Sequence, residues 1–123
     1  MRILVFIQWP VKAWSIPDDH ADALAAAFPD VEFVRARSIE EAAALIPGCD
    51  AAFASRLTAD MIASAPRLRW VHSSAAAVEG LLPLAELAAA GIAVTNSKGV
   101  QAVAIAEHVM GGILLRTRRF DRT

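Results

Sequence analysis

Short apolar runs alternate along the chain with stretches whose apolar residues recur at helical spacing, and punctuation residues mark each change. Ile3-Leu4-Val5-Phe6-Ile7 is an unbroken apolar run, the pattern of a strand buried on both faces. Val31-Glu32-Phe33-Val34-Arg35 alternates, as an edge strand does. Ala51-Ala52-Phe53-Ala54, Leu68-Arg69-Trp70-Val71 and Ile92-Ala93-Val94 supply three more strands. Between the first two strands, Ala21, Leu24, Ala25 and Phe28 fall on one helical face, behind Asp18 and Asp19, whose charges suit a helix N-terminus. A second helix opens on the capping box Ser38-Ile39-Glu40-Glu41, turns Ile39, Ala42, Ala43 and Ile46 inward, and stops at Pro47-Gly48. Thr58 opens a short third helix that ends before Pro66. Leu84, Leu87 and Ala88 define a fourth, closed by Gly91.

Strands and helices in regular alternation over short connections predict an α/β fold, a parallel sheet with helices on both faces. Five strands with an edge-like second one suit the order 2-1-3-4-5, the flavodoxin-like three-layer arrangement. The last helix departs from the pattern. Ala102, Val103, Ala104, Ile105, Ala106, Val109, Met110, Ile113, Leu114 and Leu115 make it apolar nearly all the way round, although a terminal helix needs only one buried stripe. It is either tightly embedded in its own domain or lies between domains or subunits, with Gly111-Gly112 allowing close backbone approach. Glu107 is expected to be partly buried, and Gln101 and His108 share a helix face. The expected division is a domain over residues 1–99 and a crossover helix over 100–123, whose last residues turn polar.

With 123 residues, 56% hydrophobic and 20% charged, the chain is one ordinary domain and not a disordered one. Twelve basic against thirteen acidic residues, net −1, argue against nucleic-acid binding by phosphate neutralisation. Cys49 is alone, and with His20, His72 and His108 it makes no metal-type spacing, so neither a disulfide nor a metal site is expected. The first apolar run is too short for a signal peptide, and Glu107 and His108 interrupt the last one; the reading is a cytoplasmic protein with no membrane partner.

In an open parallel sheet, ligands bind beyond the strand C-termini. There the sequence places Gln8-Trp9-Pro10, Ser55-Arg56, His72-Ser73-Ser74-Ala75-Ala76-Ala77 and Asn96-Ser97-Lys98-Gly99. The small residues after the fourth strand leave backbone N–H groups open at the start of a helical turn, which favours an anion; a tight, serine-capped turn without a ligand accounts for the same residues. Arg56 offers a fork of donors to a carboxylate or phosphate, or is simply solvated. Asn96 and Gly99 suit a strand-to-helix turn. A phosphoacceptor receiver is excluded because Ala54-Ser55-Arg56 stands where an acid is needed. No G-x-x-x-x-G-K-[ST], flavin loop or G-x-G-x-x-G occurs. Ser73 and His72 are strand neighbours pointing to opposite faces, so they do not make a catalytic triad.

Leu68-Arg69-Trp70-Val71-His72-Ser73-Ser74-Ala75-Ala76-Ala77-Val78-Glu79-Gly80-Leu81-Leu82 is followed by Gly91-Ile92-Ala93-Val94-Thr95-Asn96-Ser97-Lys98-Gly99-Val100, then by Ala104-Ile105-Ala106-Glu107-His108-Val109. This series resembles the D-isomer-specific 2-hydroxyacid dehydrogenases, specifically from about residue 68 onward and in pattern alone before it. The resemblance implies a two-domain oxidoreductase that moves hydride between NAD(H) or NADP(H) and a small 2-hydroxy or 2-oxo acid. This chain would be the substrate-side domain, truncated before the nucleotide domain, inactive and without bound cofactor by itself. The backbone N–H groups of Ala75, Ala76 and Ala77, beside Ser74, would hold the substrate carboxylate, with alanine standing at 77 where the family often has glycine. Arg56 matches an anion-binding loop of some members. Asn96, Val100 and Gln101 would line the cleft toward the nicotinamide. No catalytic residue is expected here, since neither His72 nor His108 matches the family's catalytic histidine. The resemblance also suggests a homodimer through the helix at 100–115, with that helix exchanged between subunits. The alternative is a stand-alone flavodoxin-like module that binds an anion without catalysis.

Overall fold

The computed structural model describes residues 1–119. Strands β1 (Arg2–Phe6), β2 (Glu32–Arg35), β3 (Ala51–Ala54), β4 (Trp70–Ser73) and β5 (Ala93–Asn96) form one sheet in the order β2-β1-β3-β4-β5. Every pairing is parallel. The expected α/β class and strand order are therefore observed. Helices α1 (Asp18–Ala27), α2 (Ile39–Leu45), α3 (Ala59–Ala63) and α4 (Leu84–Ala89) are the crossovers, and α5 (Ala102–Arg118) follows β5.

Strand alternation sorts the side chains between two unequal faces. Leu4 and Phe6 of β1, Ala52 and Ala54 of β3, and Val71 of β4 point to one face, where Ala42, Ile46, Met61, Ile62 and Leu87 from the α2–α4 side complete the core. The other face carries Ile3, Phe53, Trp70 and His72, and α1 covers only its β2 side through Leu24 and Phe28. A wholly apolar groove of about 320 Å³ remains open there. β1 is buried on both faces as expected, Val5 on this side and Leu4 and Phe6 on the other; only Ile3, which lines the groove, is half-buried.

β4 and β5 begin one or two residues later than the apolar pattern suggests. Leu68 and Ile92 are buried, but their N–H groups bond backward to Ala65 O and Leu87 O, so each anchors the preceding turn and not the ladder. The second helix is capped as expected, Glu41 N–H donating to Ser38 Oγ at 3.2 Å. The Glu41 carboxylate, however, accepts from Arg37 N–H at 2.7 Å, one residue before the cap. Thr58 Oγ1 caps α3 by accepting from Met61 N–H at 3.3 Å.

Helix α5 spans 17 residues, none of them buried. Val103 is 71% exposed and Ile113 48%, so the embedded alternative is excluded. Glu107, expected to be partly buried, is exposed, since nothing packs against its helix. Cβ atoms built at Gly111 and Gly112 would meet nothing within 4 Å, so these glycines serve no close approach within this chain. No helix among the described residues is long and apolar enough to cross a membrane. Residues 120–123 of the polar tail lie outside the described residues.

Candidate functional site

Parallel strands deliver β4 and β5 to the same sheet edge, where their last residues organise a loop. Trp70 Nε1 donates to Thr95 Oγ1 at 2.9 Å, and Thr95 Oγ1 lies 2.8 Å from His72 Nδ1. His72 Nε2 lies 3.3 Å from Ser97 Oγ, which donates to Ser73 O at 3.1 Å. A His72 tautomer protonated on Nε2 makes this a one-way chain in which each hydroxyl accepts once and donates once. His72 is consumed in holding the two strand ends together.

Beyond Ser73, the chain makes a bend over residues 74–76 with no helical turn following directly, and the next helix is α4. A turn closed by Leu81 and Leu82 N–H on Val78 O, both at 3.1 Å, stands where a helix start was expected, with Gly80 at φ +76° inside it, and the loop's carbonyls bond sideways to β5. Ala76 O accepts from Asn96 Nδ2 at 2.8 Å, and Ala75 O from Ser97 N–H at 3.2 Å. With both carbonyls pinned away, the N–H groups of Ala76 and Ala77 find no acceptor among the described residues. Ala75 differs: its N–H donates to the buried Ser73 Oγ at 3.2 Å and is not open to a ligand. Ala77 keeps a negative φ, so alanine fits where a glycine was compared. Asn96 also has negative φ; its contribution is its side chain, whose Oδ1 accepts from Lys98 N–H at 3.3 Å. Gly99, at φ +88°, makes the reversal into α5.

Ser74, Ala75, Ala76, Ser97, Val100 and Gln101 line one depression of about 430 Å³ at this edge. A second, of about 410 Å³, shares Ser74, Ala75 and Gln101 with it. Five of the residues singled out in the sequence therefore converge, and Asn96 joins them through Ala76. Ala77 and Arg56 line neither depression. Arg56 is exposed on the next loop, its guanidinium carbon 6.0 Å from the Phe6 ring centre. No acidic side chain is among the described lining residues, while the Glu79 carboxylate accepts from Val78 N–H at 3.0 Å, one residue beyond Ala77.

Sequence reading placed Trp9 at this edge but missed Trp14, Ser15 and Ile16, which build the far wall with it from the β1–α1 loop. The available signal was two tryptophans within six residues just after β1. The groups with displaced pKa lie elsewhere. Asp50, at the N-terminal sheet edge, is held below the usual carboxylate range by Arg2 N–H and then Arg67. Burial raises the Cys49 thiol.

A dinucleotide pyrophosphate needs a glycine-rich strand-to-helix turn. Among the described residues, the loops at this edge hold only Gly80 and Gly99, and Trp9-Pro10 follow β1 where a first glycine turn would stand. These residues do not fit a nucleotide cofactor.

The model of the D-isomer specific 2-hydroxyacid dehydrogenase catalytic domain matches residues 10–114. The chain belongs to this family. Among solved structures, it is similar to a D-isomer specific 2-hydroxyacid dehydrogenase family protein from Aeromonas salmonicida, at 25% identity and TM-score 0.68, covering 98% of this chain and 37% of that one. The fold is shared with a D-lactate dehydrogenase from Treponema pallidum, at 17% identity and TM-score 0.73, covering 97% and 36%. It is also shared with an NAD+-bound 3-phosphoglycerate dehydrogenase from Entamoeba histolytica, at 13% and 0.67, covering 94% and 38%. The dehydrogenase domain thus spans little more than a third of these chains. No curated protein sequence matches it.

Proposed function

We propose that residues 1–99 are the carboxylate-binding half of an NAD(P)-dependent oxidoreductase that interconverts a D-2-hydroxy acid and its 2-oxo acid. Residues 100–123 lead toward a nucleotide-binding domain. The observation that carries this reading is the bend at 74–77, whose carbonyls are tied to Asn96 and Ser97 while Ala76 and Ala77 keep two adjacent N–H groups for a ligand. Two oriented backbone donors suit a carboxylate and require no side-chain charge. Ser74, Ala75, Val100 and Gln101 shape the cleft beside Ala76, and Asn96 holds the loop. Arg56 adds positive potential from the neighbouring loop without direct contact.

In this reading, NAD(H) or NADP(H) sits on the rest of the protein, as solved neighbours bound to NAD+ and to NADPH suggest, and this domain alone neither binds the nucleotide nor turns over. The setting is cytoplasmic, where Cys49 stays a free thiol. The apolar sides of α5, exposed at Val103, Val109, Met110 and Ile113, support its role as a crossover helix covered by other protein. In the isolated domain they are covered in a homodimer, by exchange of α5 between subunits.

Titration of the 15N-labelled chain with pyruvate tests the cradle. The amides of Ala76 and Ala77 are expected to shift saturably; loop amides unmoved at 20 mM acid would refute it. Addition of pyruvate and NADH to the chain is expected to give no NADH oxidation, and robust turnover would overturn the assignment of the catalytic groups to another domain. Acid binding in the intact protein that is indifferent to NADH would point instead to an anion-binding module.

A further inference from the structure

We infer that Ile7, Trp9, Trp14 and Ile16 form a subsite for the substituent of the bound acid, and that this protein selects 2-oxo and 2-hydroxy acids with a bulky apolar side chain. The inference rests on the cradle at 76–77 being the carboxylate site. Ser74 and Ala75, just before that cradle, line a depression of about 410 Å³ with these four residues, so an acid held at the cradle with its remaining atoms turned into the depression meets an aromatic and aliphatic wall. The volume lies in the range of small-molecule sites.

The wall is built before any ligand arrives. Ile16 N–H donates to Ile7 O at 3.0 Å, folding the β1–α1 loop back on its strand. Ser15 Oγ accepts from Trp9 N–H at 2.9 Å and returns to Trp9 O at 3.3 Å, so its hydroxyl is spent inside the loop. Trp14 meets Trp9 edge to face, ring centres 6.4 Å apart and planes at 85°. Trp14 nevertheless remains 65% exposed, a large apolar surface beside the cleft that a ligand would cover.

Charge decides against the competing substituents. The depression holds no charged side chain, so a second carboxylate or a phosphate would lose its hydration there without a partner. Lys12, Arg35 and Arg37 line a neighbouring depression, which shares Trp9, Ser15 and Ile16 with this one. Both arginines there are already engaged by Asp18.

The test is an NMR titration of the 15N-labelled chain with 4-methyl-2-oxopentanoate and with glyoxylate, which has no side chain. The branched acid is expected to bind about tenfold tighter, the discrimination a few methylenes give against an apolar wall. It should move the indole N–H signals of Trp9 and Trp14 and leave that of Trp70, which faces the opposite groove. Trp14→Ala is expected to reduce the preference to about threefold or less, and Trp14→Phe to retain most of it. Equal affinities with the Ala76 and Ala77 amides still shifting would overturn this inference and leave the cradle standing. If neither acid moves those amides, both fail together.

Discussion

Asn96→Ala isolates the bond that shapes the cradle. The Asn96 Nδ2–H···O bond to Ala76 measures 2.8 Å and ties the bend to the end of β5, while Ser97 N–H to Ala75 O at 3.2 Å is a backbone tie that the substitution spares. A neutral hydrogen bond at an exposed side chain is worth about 1 kcal/mol net. If that energy serves to orient the Ala76 and Ala77 N–H groups, its loss appears in carboxylate affinity, which should weaken about fivefold since 1.4 kcal/mol is tenfold. Global stability should change less, by about 4 °C in Tm at most, because the loop lies outside the core. Asn96→Asp should bind worse than Asn96→Ala: its carboxylate offers Ala76 O no donor and places a negative charge beside the anion. Calorimetric titration with pyruvate, paired with thermal melts of the three proteins, reads both quantities. Equal pyruvate affinity in all three would show that the N–H groups do not form the binding site, whatever happens to Tm.

Leu87→Ala removes a fully buried α4 side chain from the main core and should cost about 2–5 kcal/mol in a urea melt; a loss below about 1 kcal/mol would contradict the packing. Asp50 has a depressed folded pKa, so its contribution is present above the unfolded carboxylate value and is lost as pH falls through the lower folded value. Carbon-detected titration should place its midpoint below that of a free aspartate, and Arg67→Ala should raise it only partway, because the larger cause is Arg2 N–H. Cys49 is buried with its pKa raised, so an alkylating reagent at pH 8 should label it slowly in the folded protein and at the rate of a free thiol in urea. Ile113→Glu puts a charge on the exposed apolar side of α5 and should shift sedimentation from dimer to monomer; a wild-type chain that is already monomeric at micromolar concentration would remove the proposed self-association.

Residue pattern alone determined the order of elements and the strand order, because burial of one face stamps a period on each segment and short connections leave few topologies. Ser38 and Thr58 announced their helices for a similarly local reason, each side chain satisfying an N–H three residues away. The loop at 74–77 was legible as small residues at a strand end, but which N–H groups stay open was not. That depends on Ser73, Asn96 and Ser97 reaching it, and the last two lie twenty or more positions along the chain from the residues they bond. Trp9 and Trp14 were visible as letters, yet only the fold of the β1–α1 loop set them against Ser74 and Ala75, and it left Arg56 outside. The same division holds for α5: its composition declared an apolar rod, while its lack of packing against the sheet, and the uncovered groove at Ile3, Phe53 and Trp70, are decided by where the turn at Gly99 sends it. Periodicity is a property of neighbours in sequence; a binding site is assembled from segments that meet only after the chain has folded.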